Sequence, residues 1–131
     1  MTLGEYSRNR LLKTFNTWDV PKDFADPFYN YLVHGYNPGS CFTSVLANDF
    51  VGAISRSHPA NTVNSFKSLA GWIRDTMPEE AWGSYAAVEY WIKLTPAKRR
   101  KILEEQDLIY TAKEETWLAI KGEKTQEPVL Y

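Results

Sequence analysis

Asp49 is the side chain whose position asks most for a chemical explanation. At about 100° per residue on a helix, it lies about 20° from Phe42, seven residues earlier, and so falls on an apolar stripe between Val45 and Ala53. A carboxylate there is costly to bury without a partner. The expected role is a structural strut that caps a neighbouring helix or pairs with an Arg or a Trp N–H. Arg56, another seven residues on, shares its side. Catalysis by Asp49 would need a second titratable group close by, and the sequence nominates none. His34 and His58 each precede a turn, where an imidazole can meet helix-terminal carbonyls. A metal centre would have to draw on His34, His58, Asp49 and Cys41, and no H-x-x-x-H or C-x-x-C spacing supports it. Cys41, in the first turn of an expected helix, has a mildly favoured thiolate but no sequence-local base, so a buried inert thiol is expected. Phosphate-loop, dinucleotide and G-x-S-x-G motifs are absent from the chain. No catalytic residue, metal ligand or cofactor is assigned, and the chain is read as a non-enzyme.

Charge and aromatic surplus suggest binding instead. Fifteen Lys and Arg against sixteen Asp and Glu leave a net charge of -1, which excludes a generally basic nucleic-acid coat and a strongly acidic DNA mimic. Locally the balance breaks. Lys93, Lys98, Arg99, Arg100 and Lys101 form a basic run without an acid, and from Glu104 onward seven acids face three bases. The run sits at a helix N-terminus, where the dipole disfavours cations. Arg100–Glu104 and Lys101–Glu105 pairs would offset part of that. Five Trp, eight Tyr and six Phe exceed what an ordinary core consumes. Trp72 lies at the edge of its helix's apolar stripe, a position for an exposed anchor or for a second buried face.

The elements that must position these groups read as helices. Thr2 to Glu5 forms a capping box. Asp26-Pro27 starts a short aromatic helix that stops at Gly35. Tyr36 to Gly39 is a turn, with Ser40 as the next cap. A single amphipathic helix is expected from Cys41 to Ser57, on the spacing of Phe42, Val45, Leu46, Phe50, Ala53 and Ile54. Asn61 caps the next, whose stripe runs from Val63 to Met77. Trp82-Gly83-Ser84 is a turn with Ser84 as cap, Thr95-Pro96 opens another helix, and Thr111 to Glu114 is a second capping box before Trp117. No segment has a convincing strand period. The expectation is an all-α, compact single domain over residues 1–131, with six or seven short helices. No apolar run approaches the ~20 residues of a membrane span, and no secretory signal is expected, so the protein is read as cytoplasmic.

The stretch from Tyr29 to Trp91 resembles a family of small uncharacterised proteins of tailed bacteriophages and prophages. The pattern is HG-x-x-PGS-x-F-x-x-VL-x-ND, then Arg56 and Asn61, then P-x-x-x-WGS-x-x-x-V-x-x-W, ending at Trp91. Ser57-His58 stands where that family tends to have Ala-Asp. The resemblance implies an infected bacterial cell as the setting and carries no activity. Within it, Ser40, Asp49, Arg56, Trp82 and Ser84 are expected to build a scaffold over 29–91, with binding in the C-terminal helices and tail, 93–131.

A host or phage protein is therefore the expected partner, with inhibition of a defence or replication factor as one outcome and an uncertain oligomeric state. The candidate contact residues are Lys98, Arg99, Arg100, Lys101, Tyr110 and Trp117, with Trp72 on the core. The alternative is nucleic-acid association through the Lys93–Lys101 segment.

Overall fold

A computed structural model of the chain describes residues 3–58 and 61–110. Among them the fold is all-α, without a strand. Seven α-helices follow in order: α1 (Leu3–Thr17), α2 (Ala25–Tyr29), α3 (Ser40–Leu46), α4 (Phe50–Arg56), α5 (Val63–Thr76), α6 (Tyr85–Lys93) and α7 (Pro96–Glu105). Single 3₁₀ turns precede α2 and α6, and α2 runs into a wide π turn over Asn30–His34.

Side-chain caps set several starts. The hydroxyls of Thr62, Ser84 and Thr95 accept from the backbone N–H groups of Ser65, Ala87 and Lys98, and Pro96 occupies the first helical position of α7. Ser84 and Thr95 are as expected. Thr62, rather than Asn61, caps α5. Asp26 and Pro27 lie inside the first turn of α2, and Ser40 is the first residue of α3 behind Gly39, with no side-chain cap bond. The capping boxes at Thr2 and Thr111 include residues outside those described.

The largest departure is at Asn48-Asp49. The helix expected from Cys41 to Ser57 is two helices. Asn48 adopts a left-handed φ of 64°, Asp49 N–H donates to the Ser44 carbonyl at 2.9 Å, and Asn48 N–H donates to Val45 at 3.1 Å. Those two bonds are a Schellman stop, made with Asn where glycine is usual. Asp19 and Asp107 end α1 and α7 in the same way, with φ of 54° and 61°. After the stop α4 sets off in a new direction, and Phe50 turns outward.

The core is aromatic. Phe15, Phe28 and Trp72 pack edge to face with ring centroids 4.6 and 5.5 Å from Trp72, an arrangement worth about 0.5–1.5 kcal/mol per pair beyond area burial. Trp72 is fully enclosed, its indole N–H donating to Thr14 Oγ1 at 2.8 Å. It is a second buried face of α5, not an exposed anchor. Leu103, Leu108 and Ile109 join the same core, so α7 is built into the scaffold.

Candidate functional site

Two neighbouring surfaces organised by the α3–α4 hairpin carry the features that packing leaves over. The first is polar. Asp49 caps α4, its Oδ1 accepting from Gly52 N–H at 2.9 Å. Its Oδ2 accepts from the Tyr85 hydroxyl at 2.6 Å and lies 3.8 Å from Arg56 Nη1. The bond from Tyr85 and that from Gly52 hold this carboxyl below its ordinary value against an opposing effect of burial, and the nearby Arg56 guanidinium adds a lesser lowering. Arg56 Nη1 also donates to Ser44 Oγ at 2.6 Å and to Tyr85 Oη at 3.3 Å. A Cβ on Gly52 would lie 2.6 Å from Arg56 Nη1 and closer still to the Asp49 carboxylate. The glycine lets the ion pair lie across the helix backbone.

Asp49 is paired with Arg56, but it caps its own helix rather than a neighbouring one, is half-exposed at a helix start and does not sit in an apolar stripe, which corrects the expected buried strut. The Tyr85 proton is committed to Asp49 and Ser44 is buried, so the network offers neither an activated nucleophile nor a free base.

The second surface is apolar. Phe50, Val51 and Val63 are 73%, 75% and 74% exposed, with Ile54 at 38%. Phe50, Ile54 and Val63 line a groove of about 370 Å³ between α4 and α5, floored by Val45, Ala53 and Phe66. Among the described residues, its wall carries one cation, Lys67, and one acid, Asp49. Large apolar side chains gathered around a groove mark interaction surfaces, whereas single exposed ones do not.

The expected contact residues are placed differently. Arg99 is 3% exposed and enters the interior. Its Nε donates to the Val33 carbonyl at 3.3 Å and its Nη2 to His34 at 3.2 Å, both at the end of the π turn. Nη1 donates to Trp91, Ile92 and Leu94 at the end of α6. One cation thus serves the negative ends of two helical segments. A Cβ on Gly35, whose φ is 69°, would meet Arg99 Nη1 at 2.7 Å. Arg99 is structural, which corrects its assignment to a partner surface. Arg100 pairs with Glu104 at 2.6 Å, and Lys93 with Glu89 at 2.7 Å. Lys98 and Lys101 are exposed, and no Lys101–Glu105 pair forms among the described residues. The basic run is dispersed.

Tyr110 is half-buried, edge-on to Tyr6 at 6.0 Å with the Arg10 guanidinium 4.4 Å from its ring centroid. Trp117 lies outside the described residues. Trp82 packs half-buried against the core, and Ser84 caps α6. His34 stacks on Tyr36 at 5.4 Å, and burial followed by the charge of Arg99 lowers its pKa. The Cys41 thiol donates toward the Ala53 carbonyl, and burial raises its pKa, the reverse of an activated thiolate. No three His, Cys, Asp or Glu side chains come together as metal ligands among the described residues. No described helix is long and apolar enough to cross a membrane.

Asp49 and Arg56 are the two members legible in the sequence, from their seven-residue spacing; Gly52 is not, because its role follows from the close approach of both side chains to its backbone. Tyr85 and Ser44 were not legible as its members because they arrive from other elements. Compared with protein-family models, curated proteins and solved structures, the chain matches none.

Proposed function

We propose that this protein acts by binding another protein, a host or phage protein in the setting that the resemblance implies, and that the α4–α5 groove takes an apolar segment of that partner. The supporting observation is that Phe50, Ile54 and Val63 stand in water around an apolar groove. Leaving such residues uncovered has a cost in solubility that folding does not require. Lys67 and Asp49 both line the wall, so its charges offset each other and the apolar side chains define the partner segment. The groove, rather than the tail after Leu94, is now the favoured contact surface. The nucleic-acid reading is weakened, since Arg99 is interior and Arg100 and Lys93 are paired.

The test is a double variant, Phe50→Ser with Val63→Ser, used as bait beside the wild type in lysate of infected cells. Both side chains already face solvent, so the melting temperature stays close to wild type. A stoichiometric partner held by the wild type is expected to bind the double variant at least ten-fold more weakly, as for central apolar anchors. It is expected to bind a Lys98→Glu, Lys101→Glu variant normally. Equal recovery by the groove variant, or loss only in the lysine variant, overturns the proposal. Sedimentation showing that the wild type instead pairs with itself through these residues overturns the choice of partner.

A further inference from the structure

We propose that the polar cavity beside the Asp49 network binds a small oxyanion, a carboxylate or a phosphate group. The cavity measures about 380 Å³ and is lined by Asn37, Ser40, Thr43, Ser44, Arg56 and Tyr85. That volume admits a small ligand, and the polar lining sets its class.

The hydrogen bonds already made determine what it can take. Asn37 Oδ1 is spent on the Gly39 N–H at 2.8 Å and the Thr43 hydroxyl at 3.3 Å. This fixes the orientation of the amide and leaves its NH₂ without a partner among the described residues. The Thr43 proton goes to Asn37, the Tyr85 proton to Asp49, and the Ser44 proton to the Ser40 carbonyl at 3.0 Å or to Tyr85. Arg56 uses only Nη1, for Ser44, Tyr85 and Asp49. Its Nε–Nη2 edge, the fork that matches two oxygens of a carboxylate or phosphate, is unpartnered among the described residues. The Ser40 hydroxyl is likewise uncommitted. The strongest unspent groups around this cavity are thus N–H donors, one of them charged. Asp49 is the one acid bonded to the network, and its oxygens already face Gly52, Tyr85 and Arg56 Nη1. It anchors the guanidinium while leaving the fork for a ligand. An acceptor-rich anion satisfies this arrangement, whereas a cation or a donor-rich ligand would find few partners.

The test uses the full chain, labelled with ¹⁵N and titrated at constant ionic strength in two arms, inorganic phosphate and acetate, against sodium chloride. Saturable shifts of the Arg56 Nε–H and Asn37 NH₂ signals are expected in at least one arm. The arm that saturates identifies the oxyanion. Arg56→Lys keeps the charge and loses the fork, and it is expected to weaken binding at least ten-fold. Asn37→Asp keeps both acceptor roles of Oδ1 and places a negative charge where the NH₂ was, and it is expected to abolish binding. Phe50→Ser leaves binding unchanged, which separates this site from the apolar groove. Shifts that stay linear to about 50 mM in both arms, where millimolar dissociation constants would saturate, overturn the proposal. So does saturable binding that survives both variants in chains with a wild-type melting temperature.

Discussion

Replacing Arg99 with methionine keeps a long apolar stem and removes every N–H that the guanidinium supplies to the two helical ends. Five carbonyls lose a donor: Val33, His34, Trp91, Ile92 and Leu94. They do not count equally. His34, Ile92 and Leu94 belong to half-buried residues whose carbonyls water can approach. The enclosed Trp91 carbonyl keeps the Leu94 N–H at 3.2 Å, whereas the enclosed Val33 carbonyl has no other donor among the described residues. An enclosed, orphaned carbonyl costs about 1–3 kcal/mol, and bonds from a charged donor lie at the upper end. Removing the cation also removes its own desolvation cost, so the terms do not simply add. The expected loss is about 2–4 kcal/mol, a large share of the ~5–15 kcal/mol that keeps a domain folded. Arg99→Lys keeps the charge but gathers its donors at one point, and an intermediate loss of about 1–3 kcal/mol is expected. Urea denaturation followed by tryptophan fluorescence measures both, with the midpoint falling at a nearly constant slope. An Arg99→Met protein within about 1 kcal/mol of wild type would show that water replaces the guanidinium at little cost, and would refute the argument.

Two further outcomes follow from the same geometry. Gly35→Ala forces a Cβ into the left-handed region and against Arg99, so a loss of about 2–4 kcal/mol is expected; combined with Arg99→Met the losses should fall short of additive in urea melts, and full additivity would contradict the contact. Asp49 has a folded pKa below its ordinary 3.8, so its contribution is complete above that value and disappears as pH falls through the folded one. The urea-midpoint difference between wild type and Asp49→Asn should therefore shrink from about pH 7 to about pH 3, and a constant difference would sink the assignment.

What the sequence disclosed was local. Thr95-Pro96 and Ser84 fall where a hydroxyl can meet a backbone N–H three residues on, and they were read correctly because cap and recipient are neighbours. The α3–α4 break is hidden because glycine is the usual residue at such a stop, while here Asn48 makes the left-handed turn. The apolar spacing ran through the break unaltered, so Phe50 looked like core and is surface. Arg99 and Trp72 were misjudged for a different reason. Their partners lie far away in sequence, 66 residues from Arg99 to Val33 and 58 from Trp72 to Thr14. No helical period reports that. The candidate site was half legible: Asp49 and Arg56 share α4, but Ser44 and Tyr85 come from α3 and α6.

The wide turn at Asn30–His34 bears on how the chain can be divided. Its carbonyls from Tyr31 to His34 are claimed by one indole and one guanidinium, both from the C-terminal half. A fragment ending before α5 would leave the Leu32, Val33 and His34 carbonyls without these donors, Tyr31 alone keeping the Gly35 N–H. A fragment beginning at α5 would have to place the Arg99 cation with only the end of α6 to receive it. Neither piece is complete in polar terms, so the halves rise and fall together in one cooperative transition. Trp91, whose indole N–H bridges the Tyr31 and Leu32 carbonyls, sits at that seam as a built-in reporter of its closure.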